Sequence, residues 1–113
     1  MSDTCLFCRI VRREIPATVV AETDGALAFR DIDPKAPLHA LVIPKRHVAS
    51  LADTDDPALV GELLLLAARV AREAGYAESG FRTVVNAGPD AGQTVFHLHV
   101  HVLAGRALAW PPG

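Results

Sequence analysis

Between Phe96 and Leu103 the chain reads FHLHVHVL, with His97, His99 and His101 at every second position and Leu98, Val100 and Val102 between them. Alternate side chains of a β-strand share a face, so this alternation predicts a strand with one apolar side in a core and one side built from imidazole. A solvated strand face more often carries Lys, Thr or Glu, which sets the pattern apart from incidental histidines. Same-face neighbours repeat at roughly 6.6–6.8 Å. That spacing is too wide for all three rings to reach one tetrahedral ion at about 2.0–2.1 Å without strong distortion. At most one or two of them can bind the same metal. Near neutral pH, histidine offers an unprotonated nitrogen for attack and a protonated one for donation, as nucleotidyl or acyl transfer requires.

The rest of the chain surrounds this strand with short elements. CLFCRIVRREIP places Leu6, Phe7, Ile10 and Val11 on one helical face, with Pro16 ending any helix by residue 15. TVVAET and ALAFRDID flank Asp24 and Gly25, which predicts a hairpin with a two-residue Asp-Gly loop. HALVIPK is apolar enough for burial on both faces, with Pro44 at an end or an edge. The segment DTDDPALVGELLLLAARVAREAG predicts one long helix capped by Asp55 or Asp56, with Pro57 in its first turn and Gly75 as its stop. Its middle, Leu63 to Ala68, is apolar nearly all round, more than one buried stripe needs, and a second protomer is a reasonable cover. FRTVVN and FHLHVHVLA complete five strands. The expected fold class is α+β, a five-stranded antiparallel sheet with one long and one short helix, in one domain spanning residues 1–113.

Composition removes several partners. Half of the 113 residues are apolar and the formal charge is −2, so no basic surface tracks a nucleic-acid backbone. The longest apolar run is too short to span a bilayer, and the acidic start of MSDTCLFCRIVRRE lacks an export leader's apolar stretch. No membrane association and a cytoplasmic location are expected. Cys5 and Cys8 form a single CxxC, which in that compartment leaves metal binding, a reduced pair or dithiol chemistry open rather than a disulfide framework. No thioredoxin-like strand precedes it, which disfavours the redox motif. His47, in PKRHV, is a further ligand candidate and His97 would complete a Cys2His2 tetrahedron. A closed set of four ligands would make zinc structural. Upstream of the histidines, NAGPDAGQT offers Asn86, Gln93 and Thr94 with backbone N–H groups, a loop suited to a phosphate or to an ordinary turn.

HLHVHVL matches the histidine triad pattern, and FRDIDPKAPLHALVIPKRHV, VVNAGPDAGQTVFHLHVHVLAGR and the terminal WPPG extend the match over nearly the whole chain. The sequence thus resembles the Hint branch of the histidine triad (HIT) superfamily. The resemblance implies a hydrolase of purine nucleoside 5′-phosphoramidates, working through a nucleotidyl-histidine intermediate. By the same resemblance His99 is the nucleophile, with His101 and His39 for phosphate positioning and proton delivery. The carbonyl of His97 would fix the tautomer of His99. Asn86, Gln93, Thr94, His99 and His101 would line the phosphate, and Asp31 would take the ribose hydroxyls. Leu6, Phe7, Ile10, Phe29 and Ile32 would wall the purine, although plain core packing serves Leu6 and Ile10 equally well. Trp110 would shape the amine-side pocket or anchor an interface. Zinc-bearing relatives use a Cys2His2 set, here Cys5, Cys8, His47 and His97. Relatives pair through the long helix and edge strands, joining two protomers into one continuous ten-stranded sheet. The competing readings are a dinucleoside polyphosphate hydrolase of the Fhit-like branch and a non-catalytic purine nucleotide-binding or interaction protein.

Overall fold

A computed structural model describes residues 4–113; Met1 to Asp3, the acidic start noted above, lie outside the described residues. The elements follow the order α1 (Leu6–Val11), β1 (Val19–Glu22), β2 (Ala26–Arg30), β3 (Leu38–Pro44), a 3-10 turn (Leu51–Asp53), α2 (Pro57–Glu73), β4 (Phe81–Val84) and β5 (Val100–Ala104). The strands form one antiparallel sheet in the order β1-β2-β3-β5-β4. Among the described residues no helix is long and apolar enough to cross a membrane.

Helix α2 covers one face of the sheet. Asp56 caps it by accepting from the N–H groups of Ala58 and Leu59, Pro57 fits the first turn where no N–H is needed, and Gly75 follows its end at φ +92°. Leu63, Leu66, Ala67, Val70 and Ala71 pack against Ala26, Ala28, Ala40, Val42, Leu98, Val100 and Val102. The small alanines of β2 and β3 let the helix approach closely, whereas Leu64 and Leu65 stay exposed on its outer side. On the opposite face, the short α1 sets Phe7 and Ile10 against Leu27, Phe29, Leu41 and Ile43. Strand β3 is buried at every residue, as its apolar sequence predicts.

Two details depart from expectation. The Asp24-Gly25 loop does close a hairpin, with Thr23 N–H donating to the Ala26 carbonyl at 2.9 Å, but Gly25 does not adopt a positive φ. A Cβ there would lie 2.6 Å from the Glu62 carboxylate and push it off its bonds, one accepted from Gly25 N–H at 3.1 Å and one from Thr23 Oγ1 at 2.6 Å. The histidine strand also begins later than its alternation predicts. Val42 pairs with Val100, so two residues further on the same register would set Leu98 against Pro44, which has no N–H to give. Leu98 N–H turns instead to the Val48 carbonyl at 2.6 Å, and residues 96–99 leave the ladder while keeping their alternation.

Candidate functional site

Register brings the histidines together. Leu41 faces His101 and His39 faces Leu103, so His39 and His101 lie diagonally on the face opposite α2. Their rings meet with His39 Nε2 at 3.0 Å from His101 Nδ1. Lys35 N–H donates to His39 Nδ1 at 3.0 Å, so the proton of a neutral His39 sits on Nε2. That N–H faces His101 Nδ1, with the Asp31 carboxylate also 3.4 Å away, and leaves the proton of a neutral His101 on Nε2. Burial, followed by the neighbouring His99 and His39, pushes His101 down to about 4. Burial also lowers His39, against the pull of Asp31. His99 Nδ1 lies 2.7 Å from the His97 carbonyl, which can only accept, and so Nε2 of His99 holds the free lone pair.

His99 and His101 line a cavity of about 260 Å³. Its walls include Leu6, Phe7, Ile10, Phe29, Asp31, Ile32 and Thr94, each of which the sequence singles out, and also Ile15, Pro16, Ala17, Leu41 and Val95, which it does not. Leu41 was within reach of sequence reasoning, because it shares the strand face of His39; the 15–17 segment carries no comparable signal. Phe7 stands edge-on to Phe29, His97 and His99, with ring centroids 5.5, 5.9 and 5.2 Å apart. Ile32 is fully exposed at the rim.

Other candidates sit elsewhere. His39 lies behind His101 and is 6% exposed. Asn86 is half-buried beyond the end of β4 and does not line the cavity. Gln93 does not line the cavity either. Both of its amide hydrogens are committed, to the Ala49 carbonyl at 2.8 Å and the Val95 carbonyl at 3.1 Å, while its oxygen accepts from Gly88 N–H at 2.9 Å. Buried and fully used as a donor, it braces the loop that carries Thr94. Trp110 is 82% exposed and away from the cavity of its own chain.

Cys5, Cys8, His47 and His97 converge with their ligand atoms all within 4.8 Å of one another and could hold a metal ion. Cys5 Sγ to His97 Nδ1 is 3.4 Å, Cys8 Sγ to His47 Nδ1 is 3.3 Å, Cys8 Sγ to His97 Nδ1 is 3.5 Å, and the two Nδ1 atoms are 3.2 Å apart. A zinc tetrahedron with Zn–S of about 2.3 Å and Zn–N of about 2.0–2.1 Å has edges of roughly 3.3–3.8 Å. The residues fit such an ion closely. His97 Nε2 faces the Pro44 carbonyl at 2.8 Å, which fixes its proton there and turns the lone pair of Nδ1 into the cluster. Asp31, His39 and His101 form a second cluster of similar span. It fits a metal poorly, because Lys35 N–H occupies Nδ1 of His39 and a ligating Nε2 would require that ring to lose both protons.

Comparisons agree with this architecture. The HIT domain description matches residues 12–108. An uncharacterized HIT-like protein from Synechococcus elongatus is 55% identical over the full length of both chains. The crystal structure of a HIT family hydrolase from Legionella pneumophila is 48% identical, covering 97% of this chain and 100% of that one with a TM-score of 0.95. A histidine triad nucleotide-binding protein from Candida albicans superposes with a TM-score of 0.84 at 30% identity, covering 96% of this chain and 83% of that one. With the matched residues running from just after α1 through all five strands and α2, the chain belongs to the HIT domain family.

Proposed function

We propose that this protein is a Hint-like hydrolase of purine nucleoside 5′-phosphoramidates, of the adenosine monophosphoramidate type. The observation that carries the reading is the orientation of His99: its Nδ1 is spent on the His97 carbonyl at 2.7 Å, and its other nitrogen is left as a lone pair in an apolar cavity that also contains Asp31. A phosphorus atom held there meets a fixed nucleophile, a purine meets Phe7, Phe29, Ile10 and Ile32, and the ribose hydroxyls meet the Asp31 carboxylate. Neighbours described as a HIT family hydrolase and a histidine triad nucleotide-binding protein support the same class of activity.

The steps balance as follows. As the anionic phosphate enters, it favours the charged form of the coupled His39–His101 pair: His39 Nε2–H turns to the Asp31 carboxylate 3.4 Å away, and His101 Nδ1 takes up one proton from solvent. His99 Nε2 forms a bond to phosphorus, the P–N bond to the amine breaks, and His101 Nε2–H gives its proton to the departing amine. Water then attacks phosphorus, the bond to His99 breaks, and the water proton returns to the pair. Thr94 contributes a hydroxyl and Asn86 an amide toward the phosphate, and Gln93 braces the loop beside them through three backbone groups. We assign Cys5, Cys8, His47 and His97 to a zinc ion whose role when bound is structural, tying α1 to the start of the histidine segment. The protein acts as a cytoplasmic homodimer, with Trp110 directed to the amine side of the partner's cavity.

The test is a pre-steady-state assay on an adenosine phosphoramidate beside a diadenosine polyphosphate. The expected result is a burst of amine from the phosphoramidate and slow turnover of the polyphosphate. His99→Ala should lose at least about a thousandfold in kcat while keeping its fold, since the covalent route disappears. Near-normal turnover in that variant would overturn the assignment of the nucleophile. Preference for the polyphosphate would place the enzyme with the Fhit-like branch instead.

A further inference from the structure

The four-residue cluster and the nucleophile are joined by more than proximity. His97 puts its ring in the cluster and its backbone carbonyl on Nδ1 of His99, 2.7 Å away. His47, another member, precedes Val48, whose carbonyl holds Leu98 N–H at 2.6 Å. Cys5 and Cys8 bracket Leu6 and Phe7, two walls of the cavity, and the Phe7 ring stands at 87° to the His99 ring. Every ligand thus adjoins a group that touches the nucleophile or its segment. That segment needs outside support, because β5 begins only at Val100 and residues 97–99 receive none from the ladder. Helix α1 needs it too, since six residues are too few to hold a helix by themselves.

We propose that the metal cluster is a positioning device for His99, so that metal occupancy and nucleotide affinity are reciprocally coupled. This goes beyond a structural tie and rests on the nucleotide and metal readings given above. With the ion bound, the His97 carbonyl and the Phe7 edge hold the imidazole in one tautomer and one orientation, and Leu6 closes the wall. With the ion removed, α1 and residues 97–99 lose their shared anchor and the cavity must order itself when nucleotide binds. Linkage requires the effect to run both ways: what zinc does for nucleotide affinity, nucleotide does for zinc affinity by the same factor.

The experiment compares the zinc-loaded full chain with the same chain stripped by a chelator. Adenosine 5′-monophosphate affinity is measured by calorimetry, zinc affinity with and without that nucleotide by competition, and amide exchange at Leu98 by NMR. Stripping is expected to weaken nucleotide binding about tenfold, with an equal gain in zinc affinity when nucleotide is present. Leu98 exchange should accelerate by a similar factor. Nucleotide affinity and Leu98 exchange that both stay within about twofold overturn the proposal. So does a chain that takes up no zinc. If the loaded chain binds zinc but no nucleotide, the nucleotide reading fails and the coupling falls with it, while Leu98 exchange still decides whether the metal positions residues 97–99. Should stripping unfold the chain, as circular dichroism would show, Cys5→Ser is titrated with zinc instead. Nucleotide affinity that does not follow zinc occupancy in that variant overturns the proposal.

Discussion

Each buried imidazole of the site gives one nitrogen to a backbone group, and that choice decides what the other nitrogen can do. A carbonyl partner at His97 and at His99 leaves a lone pair facing inward, toward the Cys2His2 cluster in one case and toward the cavity in the other. An N–H partner at His39 does the reverse and makes it a donor to His101. None of these distinctions is visible in the alternation HLHVH, because the backbone partners are Pro44, Lys35 and the chain itself. The state of His101 yields a prediction. It faces His39 on β3, Asp31 beyond β2 and His99 on its own segment, and burial holds it at about 4. An unfolded histidine titrates near 6.5. Between those values the unfolded chain binds more protons, so the contribution of a neutral His101 is complete above about pH 6.5 and is lost as pH falls toward 4. The ceiling of that loss is about 3 kcal/mol. Denaturant midpoints measured from pH 7.5 to 4.5 should fall, and His101→Gln should fall less steeply. Parallel curves for the two proteins would refute this account of His101.

At the scale of elements, the loop between β4 and β5 is where sequence and structure diverge most. Its glycines and polar residues read equally well as a phosphate cradle or as a turn, and in the fold its neighbouring side chains point to different places. Thr94 reaches the cavity, whereas Gln93 turns inward and satisfies three backbone groups. Gln93→Ala is expected to destabilise the fold by about 2–3 kcal/mol, since buried backbone groups lose their partners. Its effect on activity should come through the disordered loop, with kcat falling more than the affinity for a bound nucleotide changes. A thermal melt and a kinetic profile check both; an unchanged melt would return Gln93 to direct phosphate contact. The helices and strands were more legible because local chemistry governs them. Asp56, Pro57 and Gly75 bound α2, and the mostly apolar HALVIPK signals a strand buried on both faces, as β3 is. The late start of β5 was not, because it depends on which residue of β3 stands opposite. Only a continued register would set Pro44 opposite Leu98, and pairing across the fold is not a local property. The Cys2His2 cluster lies between these extremes: the CxxC spacing marks two ligands, but the fold alone brings residues 47 and 97 to them.

For the molecule as a whole, the two edges of the sheet are unequal. At β1 the register shifts between Val19 and Ala21, a bulge of the kind that blunts an edge against further pairing. At β4 the pairing with β5 is regular from Phe81 to Val84, and among the described residues no further strand pairs with its outer side. Beside that edge Phe81 is 39% exposed, and on the outer side of α2 Leu64 and Leu65 are 42% and 74% exposed. An apolar helix face and a regular free edge in one chain provide the self-complementary surface that a twofold dimer needs. The proposed assembly joins β4 to β4 in a ten-stranded sheet and buries Leu65 against its copy. Light scattering should then return twice the 12.0 kDa mass of the chain. Leu65→Glu places like charges across the axis and should shift the protein to monomer with little change in its own fold, because this side chain contributes almost nothing to the core of one chain. If Trp110 acts on the amine side of the partner's cavity, that monomer should also discriminate amines less well while still binding adenosine 5′-monophosphate. A wild-type protein that scatters as a monomer at micromolar concentration would end the argument at its first step.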